Sequence, residues 1–61
     1  MEKMYYEVVR IDGDYAHLQR LDENGANVDE DLKLVARALL PDRIEEGSRL
    51  VYEWLSYSIA E

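Results

Sequence analysis

The chain has no cysteine and no phenylalanine, one proline, one histidine, one tryptophan and three glycines among its 61 residues. Without cysteine, neither a disulfide framework nor a thiolate zinc site can staple the fold. A domain of this size buries only about 60% of the surface its unfolded chain exposes. Ordering it costs roughly 1.5 kcal/mol per residue, which a small core only just offsets, so self-association is an expected source of further stability. The glycines stand apart at positions 13, 25 and 47, one to each polar segment, and form no phosphate-binding loop. No apolar run approaches the roughly 20 residues of a membrane span, and no apolar leader follows Met-Glu-Lys, so a soluble, cytoplasmic protein without membrane contact is expected. Cations are scarce as well: seven against fourteen acids, a formal charge of −7. They are spread from Lys3 to Arg49 without a cluster, and the net charge repels phosphate backbones, which argues against general nucleic-acid binding.

What is present is strand chemistry. Residues 37–54, RALLPDRIEEGSRLVYEW, are the stretch around which the rest is arranged. Pro41 lacks an amide proton and fixes its own φ, so the segment before it must stop or bend. Ile44 is the only apolar residue between Pro41 and Leu50 and pins this corner to the core. The run Glu45-Glu46-Gly47-Ser48 reads as a turn in which Gly47 takes positive φ. After it Leu50, Tyr52 and Trp54 alternate with Arg49, Val51, Glu53 and Leu55.

Residues 4–11 are aromatic and β-branched and form the first expected strand, with Tyr5, Val9 and Ile11 competing against Tyr6 and Val8 for the inward face, or a bulge near Arg10. Asp12-Gly13-Asp14 signals a tight hairpin. The second strand, 15–21, sets Ala16 and Leu18 against Tyr15, His17 and Gln19. Residues 22–27, DENGAN, are a longer turn. From Leu32 to Leu39 two patterns coexist: Leu32, Val35, Ala36 and Leu39 have helical spacing, while Leu32, Leu34 and Ala36 alternate with Lys33, Val35 and Arg37. The tail, 55–61, carries the alternation on through Tyr57 and Ile59, as one long bent strand or as two kinked near Ser56.

Arg10, Ile11, Gly13, Asp14, Tyr15 and Ala16, followed by Leu39, Leu40, Pro41, Ile44, Glu46 and Gly47, give the chain two blocks that resemble a family of short uncharacterised bacterial proteins, a domain-of-unknown-function family. The blocks cover roughly half of the chain, and their order and spacing carry the resemblance more than either block does. Val9 stands where that family tends to have aspartate, Ala36 where it tends to have proline, and Ser48 where aspartate is usual. The resemblance implies a small, mostly antiparallel β-barrel or coiled sheet, an extended segment before Leu39-Leu40-Pro41, and no particular activity.

The candidate chemistry is thin. His17 would need Ser48, Ser56 or Ser58 beside it and a carboxylate behind, and none of these serines lies in a nucleophile motif. A calcium loop starting at Asp22 and Asn24 fails at Ala26, Asn27 and Lys33, leaving only weak divalent binding by Asp22, Glu23, Asp29, Glu30 and Asp31. The pairs Asp12/Asp14 and Glu45/Glu46 are explained as turn formers. No catalytic residue, metal ligand or cofactor is therefore expected. The aromatics Tyr5, Tyr6, Tyr52, Trp54 and Tyr57 lie near the two chain ends and form a patch if the first and last strands pair, with Arg49 or Glu53 as a polar rim. The expected protein is a single all-β domain over residues 1–61, a small antiparallel barrel or coiled sheet of about four to five strands. Its strands lie near 4–11, 15–21, 32–36 and 49–59, with a 3₁₀ or α turn near 37–41. The expected function is a non-enzymatic protein-interaction module, a homodimer or a docking partner. The alternative is a barrel that stacks a small ligand or single-stranded nucleic acid on an aromatic sheet face.

Overall fold

The computed structural model describes residues 3–28 and 31–60. It contains β1 (Met4–Asp12), β2 (Tyr15–Leu21), β3 (Lys33–Ala36), a 3₁₀ turn (Arg37–Leu39), β4 (Arg49–Glu53) and β5 (Ser56–Ile59). All five strands belong to one antiparallel sheet in the order β3-β2-β1-β4-β5, coiled as a half-barrel. The all-β expectation holds.

β1 is the central strand, and its two competing apolar sets are reconciled by a bulge. The β1–β2 register shifts between Val8 and Arg10, leaving Val9 as the extra residue at 46% exposure. Ahead of the bulge Tyr6 and Val8 point into the core. Beyond it the phase has moved by one, and Ile11 packs on the same face opposite Ala16. Asp12 pairs with Tyr15 across a two-residue loop in which Gly13 has φ 59, the pattern of a type II′ turn with glycine at its first central position.

The stretch with two readings is a strand. Ala16 opposite Val35 and Leu18 opposite Lys33 put Val35 and Lys33 on the inner face, while Leu34 points outward. After Ala36 the Arg37 N–H donates to the Asp14 carbonyl at 2.8 Å and the Leu40 N–H to the Arg37 carbonyl at 3.0 Å, closing the 3₁₀ turn. Leu40 and Ile44 then plug the core from below, and Leu39 stays exposed. The following corner is tied to the middle of β1: the Gly47 N–H donates to the Val8 carbonyl and the Val8 N–H to the Ser48 carbonyl, both at 2.8 Å. Ser48 Oγ accepts the Glu45 N–H at 2.9 Å.

Of the two readings of residues 49–59, one long bent strand or two kinked near Ser56, the structure has two strands, but reversed into a hairpin instead of kinked. β4 ends at Glu53, Trp54 and Leu55 form a two-residue loop, and β5 folds back with Ser56 opposite Glu53 and Tyr57 opposite Tyr52. Trp54 is thus a turn residue and does not continue the inner face of Leu50 and Tyr52. The reason lies in side-chain phase. A straight strand would put Tyr52 and Tyr57 on opposite faces, whereas a two-residue hairpin brings both to the core side, where Tyr57 packs on Tyr52 with ring centroids 4.7 Å apart.

Candidate functional site: the β4–β5 tip and the open edge

Of the five aromatics singled out in the sequence, three converge. Tyr6 from β1, Tyr52 from β4 and Tyr57 from β5 share the inner face, with Tyr6 and Tyr57 centroids 5.8 Å apart at 59°. The Lys33 ammonium reaches across the trough from β3 and sits 5.6 Å from the Tyr6 centroid and 5.9 Å from those of Tyr52 and Tyr57, within cation–π range of all three. Its hydrogen bond to the Tyr57 hydroxyl raises the Lys33 pKa above the ordinary 10.5, although burial pulls the other way. Tyr5 lies on the opposite face, between Leu21 of β2 and Val51 of β4. Trp54 stands at the β4–β5 loop. Instead of one patch spanning the chain ends, the sheet makes an inner cluster, an outer ring and an apolar tip.

That tip is the unusual geometry of the molecule. Trp54 has φ 55 and Leu55 has φ 61, the only non-glycine residues with positive φ among those described. A two-residue turn with both central residues left-handed is the type I′ pattern, which favours Asn-Gly. Each L side chain held there costs roughly 1–2 kcal/mol. The two residues are also 72% and 84% exposed.

Beside the tip the sheet is open. With every ladder antiparallel, β3 and β5 run in the same direction, so the odd strand count cannot close on itself by antiparallel pairing. Among the described residues each keeps one edge unpaired. Between them lies a groove lined mostly by apolar side chains, Val35, Leu39, Tyr52, Leu55 and Tyr57 among them, with Lys33 as its one charged group. The sequence reading missed Leu39 and Leu55 as surface features; their absence from any buried set in the hairpin phase was the available signal.

The remaining candidates are placed elsewhere. His17 is on the outer face of β2 between Arg10 and Leu34. Ser56 and Ser58 are three strands away, about 14 Å at 4.8 Å per strand, and Ser48 Oγ is held in its own turn, so no serine is within reach of the imidazole. Asp22 Oδ1 accepts the N–H groups of Asn24 at 2.8 Å and Ala26 at 3.0 Å, a turn role. Asp29 and Glu30 lie outside the described residues, and among the described ones no three acidic, histidine or cysteine groups cluster as a metal site. Of the expected rim, Glu53 lies 4.0 Å from the Lys3 ammonium, and the Arg49 guanidinium covers the Gly25 turn. No helix among the described residues is long and apolar enough to cross a membrane. Neither a family model, nor a curated protein, nor a solved structure matches the chain.

Proposed function

We propose that the protein is a non-enzymatic protein-interaction module whose contact surface is the β4–β5 tip and the groove beside it. The observation that carries this reading is the left-handed backbone of Trp54 and Leu55 combined with their exposure. Two large apolar side chains sit in turn positions that cost folding energy and return little buried area. Strained backbone of this kind clusters at sites that bind a ligand or a partner. Exposed tryptophan, tyrosine and leucine around a shallow groove are also the chemistry of interface anchors. The inward-facing Tyr6, Tyr52 and Tyr57, with Lys33 over them, are not offered as a flat stacking platform, so the observations favour protein contact over base stacking.

The test is the double variant Trp54→Asn/Leu55→Gly. It relieves the left-handed strain, so the isolated domain gains about 1–2 kcal/mol, raising its unfolding midpoint by about 4–8 °C per kcal/mol. Crosslinking from the tip in an extract of the source cell is compared for the native and variant chains. A variant at least as stable that loses the native chain's crosslinked species supports the reading. A variant that is less stable and crosslinks the same species removes it.

A further inference from the structure

The open edge of β5 has features that select its occupant. The Ala60 N–H donates to the Arg49 carbonyl at 2.9 Å. By strand alternation the backbone groups of Ser56 and Ser58 also face β4, whereas those of Tyr57 and Ile59 point to the open side. Natural sheets guard such edges with lysine, proline or a bulge. β5, Ser56-Tyr57-Ser58-Ile59, has none of these. It lies within residues 54–60, the longest stretch without a charged side chain in a chain of net charge −7. A cationic partner would be recognised through carboxylates, and this edge offers none. Two equally acidic chains, in contrast, approach with least repulsion along a strand that carries no charge.

We propose that the occupant of this edge is a second copy of the chain, the two β5 strands pairing antiparallel about a two-fold axis at Tyr57. The inference rests on the interaction reading above and names its partner. In this register Tyr57 faces Tyr57 of the partner subunit, the two exchanging their outward N–H and C=O groups. Ser56 lies opposite Ser58 of the partner subunit. Leu55, in the groove lining, meets Ile59 of the partner subunit, which brings together two apolar side chains that are 84% and 39% exposed in the single chain. The half-barrel, unable to close on itself, becomes half of a continuous two-fold sheet. Because two net-negative copies meet along a strand that carries no charge of its own, added salt screens their overall repulsion and strengthens the association, whereas salt weakens one held by opposite charges.

The experiment is molar mass by light scattering and sedimentation over a range of concentrations and ionic strengths. The native chain, Ser58→Glu and Ile59→Pro are measured, with amide spectra reporting that each fold is retained. Ser58→Glu sets carboxylates close together across the axis, and Ile59→Pro removes an N–H that the monomer leaves unused. The expected result is a dimer that tightens with salt and weakens by roughly tenfold or more in Ser58→Glu. Should Ile59→Pro unfold the chain, Ser58→Glu still decides, since Ser58 is exposed. The register is read by mixing Ser56→Cys chains with Ser58→Cys chains. An oxidised dimer forming in the mixture in preference to either chain by itself is expected, because only that pair is within the 4.4–6.8 Å or so that a disulfide spans. A monomer at all concentrations and salts, or a dimer indifferent to Ser58→Glu, overturns the proposal. If the tip variant then still gains stability and loses its crosslinked species, self-pairing has failed and the module reading stands. If the tip variant shows neither effect, both have failed.

Discussion

Ala36 sits at φ −64 and ψ 135, the geometry a proline brings with it. The Arg37 N–H donates to Asp14, so alternation turns the Ala36 N–H toward the open side of β3, where the ladder does not use it. Val35 before it is extended, as a residue preceding proline must be. Ala36→Pro is therefore expected to stabilise the chain by about 0.4–1 kcal/mol through the unfolded state, read by urea denaturation. A loss of stability would mean that the Ala36 N–H has an acceptor after all. Lys33, three residues earlier, is a second case in which one side chain has a measurable signature. Its folded pKa lies above the ordinary 10.5, chiefly through the Tyr57 hydroxyl, so its contribution is fully present below the unfolded pKa and disappears as pH rises through the folded one. The stability difference between the native chain and Lys33→Met should then be constant from neutral pH to about pH 10 and shrink above that. A difference that already declines between about pH 7 and about pH 9 would place the coupling elsewhere.

At the scale of the element, the corner at residues 45–48 shows how a turn fixes a strand. Gly47 has φ 96, and a Cβ placed on it would meet nothing within 4 Å, so substitution is resisted by the backbone and not by packing. Gly47→Ala should cost about 1–2 kcal/mol. Gly47→Asn should recover part of the loss, because asparagine tolerates the left-handed region. If alanine and asparagine cost the same, the space around the turn is tighter than it looks. This corner was legible in the sequence because its chemistry is local: one glycine for positive φ, one isoleucine to bury, one proline to stop what precedes. Strands β1 and β2 were legible for a similar reason, with Asp-Gly setting the register and Ala16 and Leu18 the face. The β1 bulge could be anticipated from two apolar sets of opposite phase, although which residue would be extruded depends on the ladder with β2. The β4–β5 hairpin was harder to see. Its loop residues, Trp and Leu, are not turn formers, and the remaining sign was that apolar positions run on even numbers through Tyr52 and on odd numbers from Tyr57. That shift of phase is what a two-residue reversal demands and a straight strand forbids. In β3 the choice between helix and strand was decided by pairing with β2, a long-range contact that propensity does not contain.

For the whole molecule the controlling quantity is charge against size. The chain measures 28 × 25 × 17 Å and carries −7. At about 0.01 M ionic strength the Debye length is about 30 Å, so every carboxylate lies within the field of every other; at about 0.15 M it is about 8 Å, and only neighbours interact. Attractive pairs do not balance this. Among the described residues the ion pairs are Lys3–Glu53 at 4.0 Å and Arg10–Asp12 at 3.9 Å, both at the limit of contact and partly or largely exposed, a class worth little to stability. Repulsion is relieved when the chain expands, so it acts against the folded state. Raising ionic strength from about 0.01 to about 0.15 M should therefore raise the unfolding midpoint, the reverse of what a fold held by surface ion pairs would show. The measurement belongs at a protein concentration where light scattering finds only monomer, so that salt-driven association does not add to the effect. A midpoint that falls with salt would mean that attractive pairs outweigh the excess of acids. An uncharged edge would then give two copies no electrostatic advantage over the rest of the surface.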